Sequence, residues 1–194
     1  MNPVEEWRLF VAISLPDEVG RAVAPIIDEL RRTKADVKWV QPENLHLTLK
    51  FLGEVPVGKA ERIAEALRAV PEREPFRLAL RGIDAFPSPA SPRVVWIGLA
   101  DGVPDFISLA HDVDGALVKL GFLREKKPVS PHLTLGRVRS PMNGEALRAA
   151  IGRLTAVEAG GFLAGEARLY RSELRPSGPV YSVVANLPFR RLEP

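Results

Sequence analysis

The tetrapeptide His46-Leu47-Thr48-Leu49 occurs a second time as His132-Leu133-Thr134-Leu135 in a chain of 194 residues that contains only three histidines. The two copies are 86 residues apart, and sliding the chain by about that distance aligns one half with the other. Arg8-Leu9-Phe10-Val11-Ala12-Ile13 then falls near Arg93-Val94-Val95-Trp96-Ile97-Gly98. Self-similarity of this kind indicates an internal duplication.

The repeat predicts the domain organisation. Each half reads as strand, helix, motif strand, helix and strand, with repeat 1 at about 8–87 and repeat 2 at about 92–172. A C-terminal strand is expected at about 180–190. We therefore predict one domain over 1–194, an α+β protein of two pseudo-twofold-related lobes. Each lobe would be an antiparallel sheet with helices on its outer side, and an active-site cleft would lie between the lobes.

The composition is that of an ordinary globular protein, with 46% hydrophobic and 26% charged residues. No cysteine is present, which excludes disulfides, thiol catalysis and thiolate metal sites. The sequence shows neither a secretory signal nor an apolar run of membrane-spanning length, so a cytoplasmic protein is expected. The net charge is +3, and the basic residues flanking the second motif favour a phosphate ligand; those residues are Arg124, Lys126, Lys127, Arg137 and Arg139.

The motif segments, Leu45 to Leu52 and His132 to Val138, are short, apolar-rich and bounded by Pro or Gly, which predicts strands. Alternate residues of a strand share a face, so His46 and Thr48 project together while the leucines face the core. The same holds for His132 and Thr134. An imidazole and a hydroxyl whose Cα atoms are about 7 Å apart on one face of a strand can both reach one tetrahedral anion.

Two imidazoles across a phosphate suit metal-free phosphodiester hydrolysis. Near neutral pH one can act as a base toward water while the other delivers a proton to the leaving alkoxide. The hydroxyls of Thr48 and Thr134 would stabilise the nonbridging oxygens of the transition state. A metal site is the main rival, but two histidines with neither cysteine nor a suitably spaced carboxylate make an incomplete ligand shell. We predict neither a metal nor a cofactor.

Five segments in order resemble the two-histidine phosphoesterase superfamily, and specifically its RNA 2′,3′-cyclic phosphodiesterases, also called 2′-5′ RNA ligase-like proteins. The first is the opening strand from Arg8 to Ala12. The others are His46-Leu47-Thr48-Leu49-Lys50-Phe51-Leu52-Gly53, Pro92-Arg93-Val94-Val95-Trp96, Pro131-His132-Leu133-Thr134-Leu135-Gly136-Arg137, and Leu169-Tyr170-Arg171-Ser172 with Gly178-Pro179-Val180-Tyr181. The resemblance covers nearly the whole chain.

The resemblance implies hydrolysis of RNA 2′,3′-cyclic phosphate ends to 2′-phosphates, with His46 as proton donor and His132 as proton acceptor. It also implies that Thr48 and Thr134 donate hydrogen bonds to the phosphate. Arg137 also matches the family pattern. In an unbroken strand, however, Arg137 would face the core, whereas Lys50 would share the face of His46 and be the better cation. Both are retained as substrate-binding candidates.

Several alternatives stay open at this point. The same imidazoles could join RNA ends reversibly in 2′-5′ linkage without ATP, because the reverse reaction uses the same acid and base. A noncatalytic RNA-end binding module would show salt-dependent affinity without turnover. The expected partners are RNA 3′ ends or small cyclic nucleotides. We expect neither a membrane association nor an obligate protein partner, and the protein is predicted to be a monomer.

Overall fold

The computed structural model describes residues 5–176 and 178–190. Residues 1–4, 177 and 191–194 of the predicted 1–194 domain lie outside the described residues. Nine strands and four α-helices are described: β1 Glu6–Ser14, α1 Asp17–Arg31, β2 Val37–Trp39, β3 His46–Pro56, α2 Ala60–Arg68, β4 Phe76–Ser88, β5 Ser91–Asp101, α3 Val103–Val118, β6 His132–Val138, α4 Gly144–Arg153, β7 Glu158–Ala164, β8 Glu166–Arg175 and β9 Gly178–Pro188. A 3₁₀ turn, Pro42–Asn44, precedes β3.

The strands form one antiparallel sheet in the order β7-β4-β5-β6-β3-β1-β8-β9, with β2 added to β6. Read outward from the middle, the two halves correspond: β3-β1-β8-β9 on one side and β6-β5-β4-β7 on the other. They join through a single residue pair between the motif strands, Leu47 with Leu133. These two leucines occupy equivalent places in the two motifs, so the pseudo-twofold axis passes between them.

The prediction of an α+β fold with two pseudo-twofold-related lobes is confirmed, and the strand pairing adds one feature. The last strand predicted for repeat 1, β4, pairs with β5 of the second half, and β8 pairs with β1 of the first. Each lobe therefore contains strands from both halves of the chain. The repeat boundaries at 8–87 and 92–172 stay a prediction.

The helices cover one face of the sheet and leave the motif face open. Helices α2 and α3 pack together, α2 against β9 and α3 against β3, while α1 and α4 pack together against β7 and β4 respectively. Helix α1 is amphipathic, because its apolar residues recur at helical spacing; the buried ones are Val19, Val23, Ile26, Ile27 and Leu30. No helix within residues 5–176 and 178–190 is both long and apolar enough to cross a membrane.

Candidate active site

The four motif side chains lie on the open face where the lobes meet. In antiparallel register, the pairing of Leu47 with Leu133 sets His46 across from Thr134 and Thr48 across from His132. Leu47 and Leu133 themselves are fully buried, whereas the histidines and threonines keep partial access to solvent. Each histidine thus lies across from the threonine of the other lobe.

The two imidazoles are held in the same way. Nδ1 of His46 donates a hydrogen bond to the carbonyl oxygen of Asn44 at 2.7 Å, and Nδ1 of His132 donates one to the carbonyl oxygen of Ser130 at 2.7 Å. A backbone acceptor at Nδ1 fixes the proton there, so in the neutral ring Nε2 carries the lone pair. Either Nε2 can accept a proton when neutral and donate one when charged.

The electrostatic surroundings favour the neutral form of both rings. Burial lowers the pKa of His46, its hydrogen bond to Asn44 opposes the shift, and the positive charges of Arg137 and His132 lower it further. Burial also lowers the pKa of His132, opposed by its bond to Ser130 and assisted by the charge of Arg137. Both rings therefore lose their proton more readily than a free imidazole does.

Aromatic rings enclose each imidazole. The ring of His46 lies 4.8 Å from Phe10 and 5.4 Å from Tyr181, centroid to centroid. The ring of His132 lies 5.0 Å from Phe86 and 5.9 Å from Trp96. These rings restrict the imidazoles to one orientation and exclude water from their flanks, which strengthens electrostatic interactions in the site.

A β-bulge in each motif strand changes which later residues face the cleft. Leu135 has no partner on β5, because Thr134 pairs with Trp96 and Gly136 pairs with the adjacent Val95. The extra residue reverses the alternation. Arg137 is consequently exposed on the side of His132, and its charge acts on both histidines. The expectation that Arg137 faces the core was wrong for this reason.

The equivalent bulge at Leu49 turns Lys50 away from the cleft. Ala12 pairs with Thr48 and the adjacent Val11 pairs with Lys50, so Leu49 is the unpaired residue. The Lys50 ammonium forms an ion pair with Asp114 of α3 and donates a hydrogen bond to the carbonyl oxygen of Leu123 at 2.9 Å. The expectation that Lys50 shares the face of His46 was therefore wrong, and a role of Lys50 in substrate binding stays a prediction.

Lys50 instead holds the segment before the second motif against the sheet. Burial raises the pKa of Asp114, but its hydrogen bonds from Lys50 and from the Glu125 backbone N–H lower it to a net value below the ordinary one. The side chains of Lys50 and Asp114 are only 9% and 14% exposed. A cation on the helix side therefore anchors residues 123–125.

Replacing Lys50 by methionine is expected to reduce the free energy of unfolding by about 3 kcal/mol, because a mostly buried carboxylate loses its partner. Chemical denaturation measures this, with the exposed Lys59→Met as the matched control. Turnover by the folded Lys50→Met protein should stay within a few-fold of wild type. Loss of turnover without loss of stability would show that Lys50 acts on the substrate.

Replacing Arg137 by glutamine is expected to raise the pKa of both His46 and His132. The guanidinium disfavours a second positive charge nearby, so its removal favours the imidazolium form. NMR titration of the two ring signals measures the shift. Arg139→Gln is the control, since Arg139 is exposed two residues further on and does not perturb either ring. Unchanged histidine pKa values in Arg137→Gln would place Arg137 outside the site.

Sequence reasoning assigned no role to several residues of the cleft. Phe51, at the place equivalent to Arg137, is 62% exposed beside Phe10. The Tyr170 hydroxyl lies 2.5 Å from the Ser14 hydroxyl. Tyr181 packs on His46, and burial raises its pKa. The spacing after the motif could have identified Phe51 only if the bulge had been known, and the tyrosines come from distant strands.

The described residues do not form a cluster of side chains that could bind a metal ion. Across residues 5–176 and 178–190, no three His, Asp or Glu side chains converge on a common point. The strand register instead brings two imidazoles and two hydroxyls to the same face, and the charge of Arg137 acts on both imidazoles.

Two imidazoles beside a guanidinium are groups that acid–base chemistry on a phosphate ester can use. The family model described as LigT like Phosphoesterase matches residues 13–96 and again 97–181. The chain belongs to the LigT-like phosphoesterase family.

The chain is similar in sequence to curated relatives over almost its full length. The chain is 43% identical to the RNA 2′,3′-cyclic phosphodiesterase of Methanothermobacter thermautotrophicus, covering 90% of this chain and 95% of the relative. It is 42% identical to the protein of the same name from Archaeoglobus fulgidus, covering 90% and 96%. The crystal structure of TT0787 from Thermus thermophilus superposes with a TM-score of 0.77 at 34% identity, covering 94% of this chain and 98% of that one. E. coli LigT complexed with 3′-AMP gives 0.74 at 26%, covering 96% and 100%.

Proposed function

We propose that this protein hydrolyses RNA 2′,3′-cyclic phosphate ends to 2′-phosphates without a metal or cofactor. The single observation that carries the proposal is the pair of imidazoles whose Nδ1 protons are both fixed by backbone carbonyls, which leaves both Nε2 atoms for proton transfer. The cyclic phosphate substrate is supported by the names of the curated relatives. RNA as the substrate also agrees with the exposed Arg137 beside the histidines.

In the proposed reaction, Nε2 of His132 takes a proton from water while the water oxygen bonds to phosphorus. The P–O3′ bond breaks, and Nε2 of His46 gives its proton to the leaving O3′. The product carries a 2′-phosphate and a 3′-hydroxyl. His132 ends protonated and His46 neutral, and exchange with solvent restores the starting state. The choice of His46 as donor and His132 as acceptor follows the family resemblance.

Thr48 and Thr134 are proposed to donate hydrogen bonds to the nonbridging oxygens. Each lies across from the other lobe's histidine, so two hydroxyls approach the phosphate from opposite lobes. Charge increases on these oxygens as water adds, and donors fixed in position stabilise that charge. Arg137 is proposed to contribute a guanidinium to the same phosphate, which suits its planar, multidentate donors.

The test is to incubate the protein with a short RNA that ends in a 2′,3′-cyclic phosphate, in excess EDTA, and to separate 2′- from 3′-phosphate products. The 2′-phosphate is expected as the main product, at a rate unaffected by EDTA. A 3′-phosphate would contradict the assignment of the leaving oxygen. Loss of turnover in EDTA would contradict the metal-free reaction, and binding without turnover would support the noncatalytic module.

Adding a 5′-hydroxyl RNA to the same mixture tests the alternative of 2′-5′ end joining, whose product is a longer RNA.

We further propose that the enzyme acts as a monomer in the cytoplasm, with RNA ends or cyclic nucleotides as its only required partners.

A further inference from the structure

A cavity of about 890 Å³ opens beside His46, and its lining residues include His46 but not His132, Thr48 or Thr134. Its floor is the open face of the first lobe, where Phe10, Ser14 and Tyr170 lie next to His46. One wall is the start of α1, including Gly20 and Arg21, and the other is the 3₁₀ turn Pro42–Asn44. The volume lies within the range of pockets that enclose small-molecule ligands.

The chemistry of this cavity suits a nucleoside better than a bare phosphate. Tyr170 and Ser14 present hydroxyls beside an aromatic surface. Arg168 is held by Glu166, with Nε donating to Oε1 at 2.7 Å, so its charge is already matched. Asp17 and Glu43 also line the cavity and offset Arg21. Aromatic faces beside hydroxyl, guanidinium and carboxylate groups can stack a base and bind its polar edge.

The two lobes carry side chains of different size beside the motif threonines. Ala12 is the neighbour of Thr48 on β1, and the equivalent neighbour of Thr134 on β5 is Trp96. The Trp96 ring stacks on Phe86 at 4.9 Å and lies 5.9 Å from His132. The four motif residues are symmetric, but the space beside them is not. The RNA chain attached to the phosphate therefore has room in the cavity next to His46.

We propose that this cavity, called here the His46-side pocket, binds the nucleoside that precedes the cyclic-phosphate nucleotide in the RNA. The proposal rests on the proposed function. In an in-line displacement the leaving ribose oxygen lies opposite the attacking water. The ribose therefore lies on the side of the proton donor His46, and the chain that continues from its O5′ enters the pocket. The pocket makes the enzyme prefer an oligonucleotide end to a mononucleotide.

The experiment compares kcat/KM for adenosine 2′,3′-cyclic phosphate with that for an ApA dinucleotide ending in the same group. The variant Gly20→Phe is designed to fill the pocket from α1, where a Cβ at Gly20 meets no atom within 4 Å. Gly20→Ala tests the loss of glycine without filling the pocket. Gly152→Phe is the matched control, because Gly152 also has open space in the outer helix α4.

Wild type, Gly20→Ala and Gly152→Phe are expected to prefer the dinucleotide by roughly ten-fold, the effect of stacking one base. Gly20→Phe should lose this preference while its turnover of the mononucleotide stays near wild type. Equal kcat/KM for both substrates in wild type, or an equal loss on both in Gly20→Phe, would overturn the pocket assignment. Absence of turnover of either substrate in wild type would instead overturn the proposed function.

Discussion

Replacing either His46 or His132 by alanine is expected to reduce kcat for a 2′,3′-cyclic phosphate by roughly 10²–10⁴-fold, the usual contribution of a positioned acid or base. The physical reason is that each Nε2 moves one proton in the reaction, and both rings are oriented for it by a backbone carbonyl. The double variant should be little slower than either single variant, since residues that act as a unit lose their effect together.

The third histidine supplies the matched control for this prediction. His111 lies exposed on α3, so His111→Ala should keep wild-type turnover. Circular dichroism spectra of all three variants should coincide with that of wild type, because neither motif histidine belongs to the hydrophobic core. Turnover within a few-fold of wild type in folded His46→Ala or His132→Ala would refute the paired-histidine mechanism.

The threonines give the second large effect. Thr48→Val and Thr134→Val are each expected to lower kcat by roughly 10²-fold, since each removes one donor to the charged oxygens while keeping the side-chain shape. KM should change much less, because the hydrogen bond gains strength only as charge develops in the transition state. Steady-state kinetics on the cyclic-ended RNA separates the two constants.

Thr155→Val is the appropriate control, as Thr155 is exposed between α4 and β7. A change confined to KM in Thr48→Val and Thr134→Val would mean that the hydroxyls bind the ground state and the transition state equally. Unchanged kinetics in both variants would remove the threonines from the site.

The sequence was sufficient to predict the α+β fold and the side of the sheet that the motif residues share. Both inferences depend on short-range periodicity within residues 46–48 and 132–134, where the strand alternation is unbroken. The twofold relation could be predicted because the two motifs are 86 residues apart. Their equivalent leucines, Leu47 and Leu133, pair with each other in the sheet.

The failures begin one residue after each tetrapeptide. Leu49 and Leu135 are bulged, and a bulge reverses every later side chain without a reliable local sequence signature. Strand alternation consequently placed Arg137 on the core side and Lys50 on the cleft side, although both residues were kept as substrate-binding candidates. The residue after the second bulge, Gly136, has no room for a side chain, because a Cβ there would lie 2.6 Å from Cγ1 of Val37.

Long-range pairing accounts for the other omissions. Strands β8 and β9 bring Tyr170 and Tyr181 to the rings of Phe10 and His46, more than 120 residues away in the chain. The exchange of β4 and β8 between the lobes has the same origin. Periodicity within a segment predicts the element and its faces, but it does not predict the distant strand with which the segment pairs.

The pH dependence of kcat/KM in wild type tests the paired-histidine account most directly. A neutral His132 is required, so activity should fall as pH decreases through the lower pKa of the pair. A protonated His46 is required, so activity should also fall as pH increases through the higher one. Burial lowers the pKa of both histidines, which places the alkaline limb below the ordinary value of 6.5. A bell-shaped profile with that limb is predicted, and a profile that rises to a plateau at alkaline pH would contradict the account.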